Sequence, residues 1–172
     1  MAAAGHLVGR FFGSLRPGGP PRADAEWAEQ QLLPSEVELW RRMSNADRRH
    51  AVGVARRVQR ALGHEAERPV LAAALLHDVG KIESGLGVYG RVVATMSAAV
   101  AGRDAARDWM RGTGMTRRVG MYLLHPTLGG DLLAMAGSNE LTVAWTREHH
   151  KPMEEWTLPV EIGQVLKDAD DD

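Results

Sequence analysis

The chain has 172 residues, 44% of them apolar, carries a formal net charge of −1 and contains no cysteine. Those values fit one domain with a real core, exclude disulfides and thiolate metal sites, and offer no global attraction for nucleic acid or an anionic membrane. No stretch reaches the roughly 20 apolar residues that span a bilayer, and a cysteine-free chain fits a reducing compartment, so a cytoplasmic protein is expected.

At the start of the chain, "HLVGRFFGSLR" is broken by Arg10 and lacks a cleavage pattern, so no secretory leader is expected. Its Leu7, Phe11, Phe12 and Leu15 suit a mobile tail over residues 1–22, with a short surface-binding segment as the second reading. The breaker cluster "RPGGPP" closes that tail, and a single domain is expected over 23–172. From there the signals are helical. Ser35 and Glu38 read as a capping box for "EVELWRRM", and Ser44 with Asp47 repeats the pattern before "RRHAVGVARRVQRAL", which Gly63 ends. Pro69 suits the first turn of the next helix and Gly80 its stop. Further helices are predicted over about 88–101, 103–111, 116–124, 127–136, 139–150 and 160–169. No sustained alternation argues for a sheet, so the predicted fold class is an all-α bundle.

Within this pattern the run Val70–Leu76 has no polar side chain on any face, which predicts a helix buried all round. His77 and Asp78 follow it directly. A carboxylate placed there is costly unless a cation, a helix end or a metal ion compensates it.

Seven histidines occur, at 6, 50, 64, 77, 125, 149 and 150. Singly, each is more often a satisfied core side chain than a ligand. His50 shares a helical face with Val54 and Val58, and His77 lies on the corresponding stripe of the next helix, so the two are expected to meet. With Asp78 they make two imidazoles and a carboxylate converging from separate helices, which is how bundles build metal sites. Without thiolates, such a donor set suits Mn, Fe, Co, Ni or Zn. His149 and His150 are adjacent and diverge by about 100° on a helix, so they can grip one ion only near a helix end. His125 precedes Pro126 and enters a helix; His6 and His64 receive no role. Arg56, Arg57 and Arg60 read as a solvated face, and the terminal "LKDADDD" as a solvated acidic tail.

The ordered set His50, His77-Asp78 in "HDVGK" and an aspartate in "LKDADDD" resembles the signature of the HD-domain superfamily of metal-dependent phosphohydrolases. "HPTLGGDLL" and "REHH" resemble segments of its HD-GYP branch, in the same order, and the likeness runs from about Ser44 to Asp172. The resemblance implies an all-helical core in which His50, His77, Asp78 and Asp170, favoured over Asp168, hold one divalent transition metal ion. It implies a second ion held by His125, His149 and His150, with Asp78 as the bridge, and Lys81 contacting a substrate phosphate. The function implied is hydrolysis of a phosphomonoester or phosphodiester, with a nucleotide as the favoured small phosphorylated substrate. A non-catalytic regulatory module that binds metal or nucleotide is the alternative.

This chain departs from that branch in three places. "KPMEEWTLP" after the paired histidines lacks the acidic GYP stretch, so cleavage of cyclic di-GMP is not implied. Ala46 stands one turn before His50, where a third-metal carboxylate would be needed. The 43 residues between Lys81 and His125 make a long connection, read as a lid or partner surface. Asp170 stands close to the end of the sequence, which predicts a loosely held carboxylate.

Overall fold

The computed structural model describes residues 18–87, 90, 94 and 105–171. Residues 1–17 of the expected N-terminal tail and most of the helix expected over 88–101 lie outside them, and Arg22, placed in that tail, already opens the first helix. Every regular element among the described residues is helical, as the absence of alternation predicts.

Helix α1, Arg22–Gln30, leads into α2, Pro34–Arg42. The cap of α2 sits two residues earlier than the sequence suggests. Pro34 takes the first helical position, so Leu33 becomes the N-cap, and Glu36 reaches back to its N–H at 2.8 Å. Ser35, displaced from capping, donates to the carbonyl of Ala136 at 2.7 Å. Helix α3, Asn45–Leu62, starts as expected, with Ser44 Oγ accepting from the Asp47 N–H, and ends at Gly63, whose φ of +57° suits glycine alone.

Helix α4, Arg68–Leu76, has every residue from Val70 to Leu76 buried. It is the central helix, packed on α3 and on the later helices α9, Glu140–Glu148, and α10, Val160–Asp171. Gly80 does not stop it with a left-handed cap, since its φ is −62°. Instead, residues 77–80 tighten into i→i+3 turns, with Val79 N–H to Leu76 O at 2.9 Å and Lys81 N–H to Asp78 O at 3.0 Å. These lead into the short α5, Lys81–Ser84.

Helices α6, Ala105–Arg111, and α7, Gly114–Leu123, pack on each other, and α7 also packs on α5. Leu86, Ala94 and Val119 form a small second core there, with Trp109, Tyr122 and Leu123 against it. Helix α8, His125–Met135, then crosses the turn after α4 at backbone contact. A Cβ at Gly80 would lie 2.0 Å from the His125 carbonyl oxygen, and one at Gly129 would lie 2.9 Å from the Gly80 nitrogen. The role of Gly80 is therefore close approach. No helix among the described residues is long and apolar enough to cross a membrane.

Candidate metal centre

Five chain segments deliver the polar side chains to one buried point. His77 and Asp78, 1% and 3% exposed, leave the C-terminal end of α4, where the tight turns aim both inward. His125 opens α8, His149 caps the end of α9, His50 comes from the middle of α3, and Asp170 from the last turn of α10. The five rings run in contact: His50 to His77 at 5.5 Å between centroids, His77 to His149 at 5.2 Å, His149 to His125 at 5.6 Å, and His150 to His149 at 4.0 Å.

Three of these rings are held in the same way. Nδ1 of His77, His125 and His149 faces the carbonyl oxygen three residues earlier, of Ala74, Tyr122 and Thr146, at 3.0, 2.7 and 3.0 Å. A carbonyl only accepts, so Nδ1 of each carries a proton and each Nε2 is turned into the site, where a neutral ring offers its lone pair. All three Nε2 atoms are buried without a hydrogen-bond partner. A metal-ligating imidazole is oriented in this way, its far nitrogen fixed by a backbone carbonyl.

The ligand atoms fall into two groups that could each hold a metal ion: His50, His77 and Asp78, and His125, His149 and His150, the atoms of each lying within 4.8 Å of one another. Asp78 stands between them. Its Oδ2 is 3.4 Å from His77 Nε2, and its Oδ1 is 3.2 Å from His125 Nε2 and 3.9 Å from His149 Nε2. Asp170 joins the first group, its Oδ1 2.8 Å from His50 Nε2 and 3.6 Å from His77 Nε2. Asp168 is exposed and accepts from Gln164. His64 is exposed in a separate turn, and His6 lies outside the described residues.

Asp170 is not loosely held. It is 5% exposed, bonded to His50, and the carbonyl of the preceding Ala169 accepts from Arg57 Nε at 2.8 Å. The last carbonyls of a helix have no partner within it, and a cation there also suits the helix dipole. Arg57 is thus no solvated residue, and neither is Arg56, which lies over the Trp27 ring and bonds Asp24 at 3.0 Å. Of that trio, Arg60 alone is exposed.

Electrostatics divide the histidines. Burial lowers the His77 imidazole, but Asp78 and Asp170 outweigh it and raise the group to about 9. Burial lowers His50 and His125, and lowers His149 further with the help of His150, His77 and His125. His150, exposed at the rim, is lowered by desolvation of its ring and by His125. Asp78 stays well below the usual carboxylate range, burial opposing and Lys81 and His77 prevailing. Lys81 donates directly to Asp78 Oδ2; burial lowers its ammonium, but Asp78, Tyr122 and Asp47 raise it more. The cation expected to meet a phosphate is thus already engaged with the central carboxylate.

Tyr122 and Glu148 were silent in the sequence, and Arg57 was read there as part of a solvated face. Tyr122 carries the carbonyl that orients His125 and lays its ring 5.9 Å from Lys81 Nζ. The one available signal was the spacing of Arg57, seven residues after His50 on the same face. Compared with known proteins, the chain matches no family model, no curated protein and no solved structure.

Proposed function

We propose that this chain is a metal-dependent phosphohydrolase of the HD-domain kind, cleaving a phosphomonoester or phosphodiester, with a nucleotide as the favoured substrate. The observation that supports it most is the focusing of three orphaned imidazole Nε2 atoms on one buried, ionised carboxylate. His50, His77, Asp78 and Asp170 would hold one divalent transition metal ion, and His125, His149 and His150 a second that shares Asp78. Divalent ions supply an acidified water and neutralise charge on phosphoryl oxygens.

The chain's own residues do the rest. Asp78 remains a carboxylate because Lys81 and His77 face it. Lys81 keeps its proton at the wall of the site and places a fixed positive charge where a phosphoryl oxygen can accept from it. The neutral His125 and His149 offer lone pairs without competing protons.

The test is elemental analysis of purified protein, followed by turnover of a panel of nucleotides and generic phosphoesters with Mn, Fe, Co, Ni or Zn restored to stripped protein. One to two ions per chain and metal-dependent release of phosphate or alcohol are expected. His77→Ala and Asp78→Ala should abolish turnover, and His64→Ala should not. Protein with no metal, and no stabilisation by any of these ions, would defeat the reading; bound ions without turnover would favour a non-catalytic module.

A further inference from the structure

His149, at the C-cap of α9, makes the last bond of the helix ladder, its N–H to Trp145 O at 2.9 Å, and His150 lies beyond that bond, so the ladder alone does not set the path of the pair. The segment that follows is pinned instead. Lys151 N–H returns to the Glu148 carbonyl at 2.7 Å, and the Glu148 side chain accepts from both Thr157 N–H at 2.7 Å and Thr157 Oγ1 at 2.9 Å. Glu148 is 6% exposed, and a carboxyl buried to that degree is tolerated only when its oxygens are bonded, which Thr157 alone achieves for both.

The loop 149–157 is thereby closed at its base by the residue that immediately precedes the histidine pair. Trp156 adds a second anchor, its ring edge-on to Trp145 at 5.6 Å and its Nε1 donating to Lys151 O at 3.2 Å. Trp145 in turn lies 6.1 Å from the His149 ring. The stretch "KPMEEWTLP" therefore works as a strap, and Glu148 is its buckle.

We infer that Glu148 is a positioning residue for the His125, His149 and His150 group, acting through Thr157 to set where the two adjacent imidazoles point. The inference rests on the reading of that group as a metal site. It assigns Glu148 no contact with metal or substrate, and no effect on the group built from His50, His77 and Asp170.

Cobalt(II) titration of stripped protein, by equilibrium dialysis and visible absorption, tests it alongside the thermal midpoint of the metal-free chain. Glu148→Ala should weaken one of two cobalt ions by about 10- to 100-fold and leave the other at wild-type affinity. Glu148→Gln, which keeps an acceptor for the Thr157 N–H, should lose less; Glu154→Ala, at an exposed site in the same loop, should lose nothing. Two ions held at wild-type affinity by Glu148→Ala would overturn the inference. So would equal weakening of both ions, which marks general destabilisation. Wild-type protein that takes up no cobalt would overturn the metal reading itself, and the inference with it.

Discussion

Gly80→Ala makes the sharpest test of how the centre is assembled, because two known effects oppose each other there. Gly80 has φ −62° and ψ −16°, a conformation alanine adopts freely. On backbone grounds alone the substitution should stabilise by about 0.4–1 kcal/mol, through the unfolded chain. Steric contact opposes this gain. The new Cβ would lie 2.0 Å from His125 O, 2.6 Å from Gly129 N and 2.9 Å from His125 C, all backbone atoms that no rotamer change can move. Ordinary contact begins at 3.4 Å, so α8 must retreat by about 1.4 Å. Overpacking of this kind costs about 1–3 kcal/mol, and a rigid backbone wall puts it at the upper end, so the clash wins. For a chain of this length about 3 kcal/mol lowers the melting temperature by about 6–12 °C. The same retreat carries His125 away from Asp78, now 3.2 Å from it, so uptake of the ion at His125, His149 and His150 should fall as well. Differential scanning calorimetry and metal analysis measure both, with Gly87→Ala, which has nothing within 4 Å, as the control. A Gly80→Ala protein as stable as wild type with full metal content would refute the contact argument.

Three further outcomes are expected. The metal-free protein should be most stable near pH 6.5: His77, raised to about 9, contributes up to about 3 kcal/mol that is fully present below pH 6.5 and lost as pH climbs through 9. His50, His125 and His149, all lowered, withdraw stability as pH falls below 6.5, so thermal midpoints across pH 5–9 should trace a maximum. Arg57→Ala should cost about 1 kcal/mol and loosen the ion at His50 and Asp170, with Arg57→Lys restoring part of both, read by calorimetry and metal titration. Lys81→Met should lower turnover of a phosphoester by about 100-fold in steady-state kinetics while the protein still binds metal.

What the sequence made legible was local. The apolar run Val70–Leu76 and the Ser44–Asp47 cap each depend on residues a few positions apart, and both stand in the structure as read. The Ser35 cap slipped because Pro34 competes for the first helical position. Gly80 was read as a stop because its partner surface, the start of α8, lies 45 residues later in the chain. Arg57 looked solvated for the same reason: the carbonyl it meets belongs to a residue 112 positions away. The histidines and Asp78 could be singled out because polar chemistry beside an apolar run is rare. Of the residues argued to orient them, Tyr122 acts through its backbone carbonyl and Glu148 through a carboxylate that closes on Thr157, and neither arrangement carries a sequence signature.

The two oxygens of Asp78, the carboxylate at the end of the apolar helix, have different surroundings. Lys81 answers for one oxygen of Asp78 by direct donation, and the raised His77 faces the same side. The other oxygen, Oδ1, faces His125 and His149, whose Nδ1 protons are spent on backbone carbonyls and whose rings burial keeps neutral. Their Nε2 lone pairs thus point toward a carboxylate lone pair at 3.2 and 3.9 Å, acceptor against acceptor. Hydrogen bonding cannot relieve that arrangement without costing an imidazole its carbonyl partner or charging a buried ring. A divalent cation would relieve it, because His125, His149 and Asp78 could each supply an electron pair to it. The two sides of Asp78 therefore differ in kind: one faces protons the chain supplies, the other faces imidazole lone pairs in a group that could hold a metal ion. Metal uptake by the His125, His149 and His150 group should accordingly release little proton at neutral pH, whereas uptake at His77 should release about one, a difference that calorimetry in buffers of unequal ionisation enthalpy resolves.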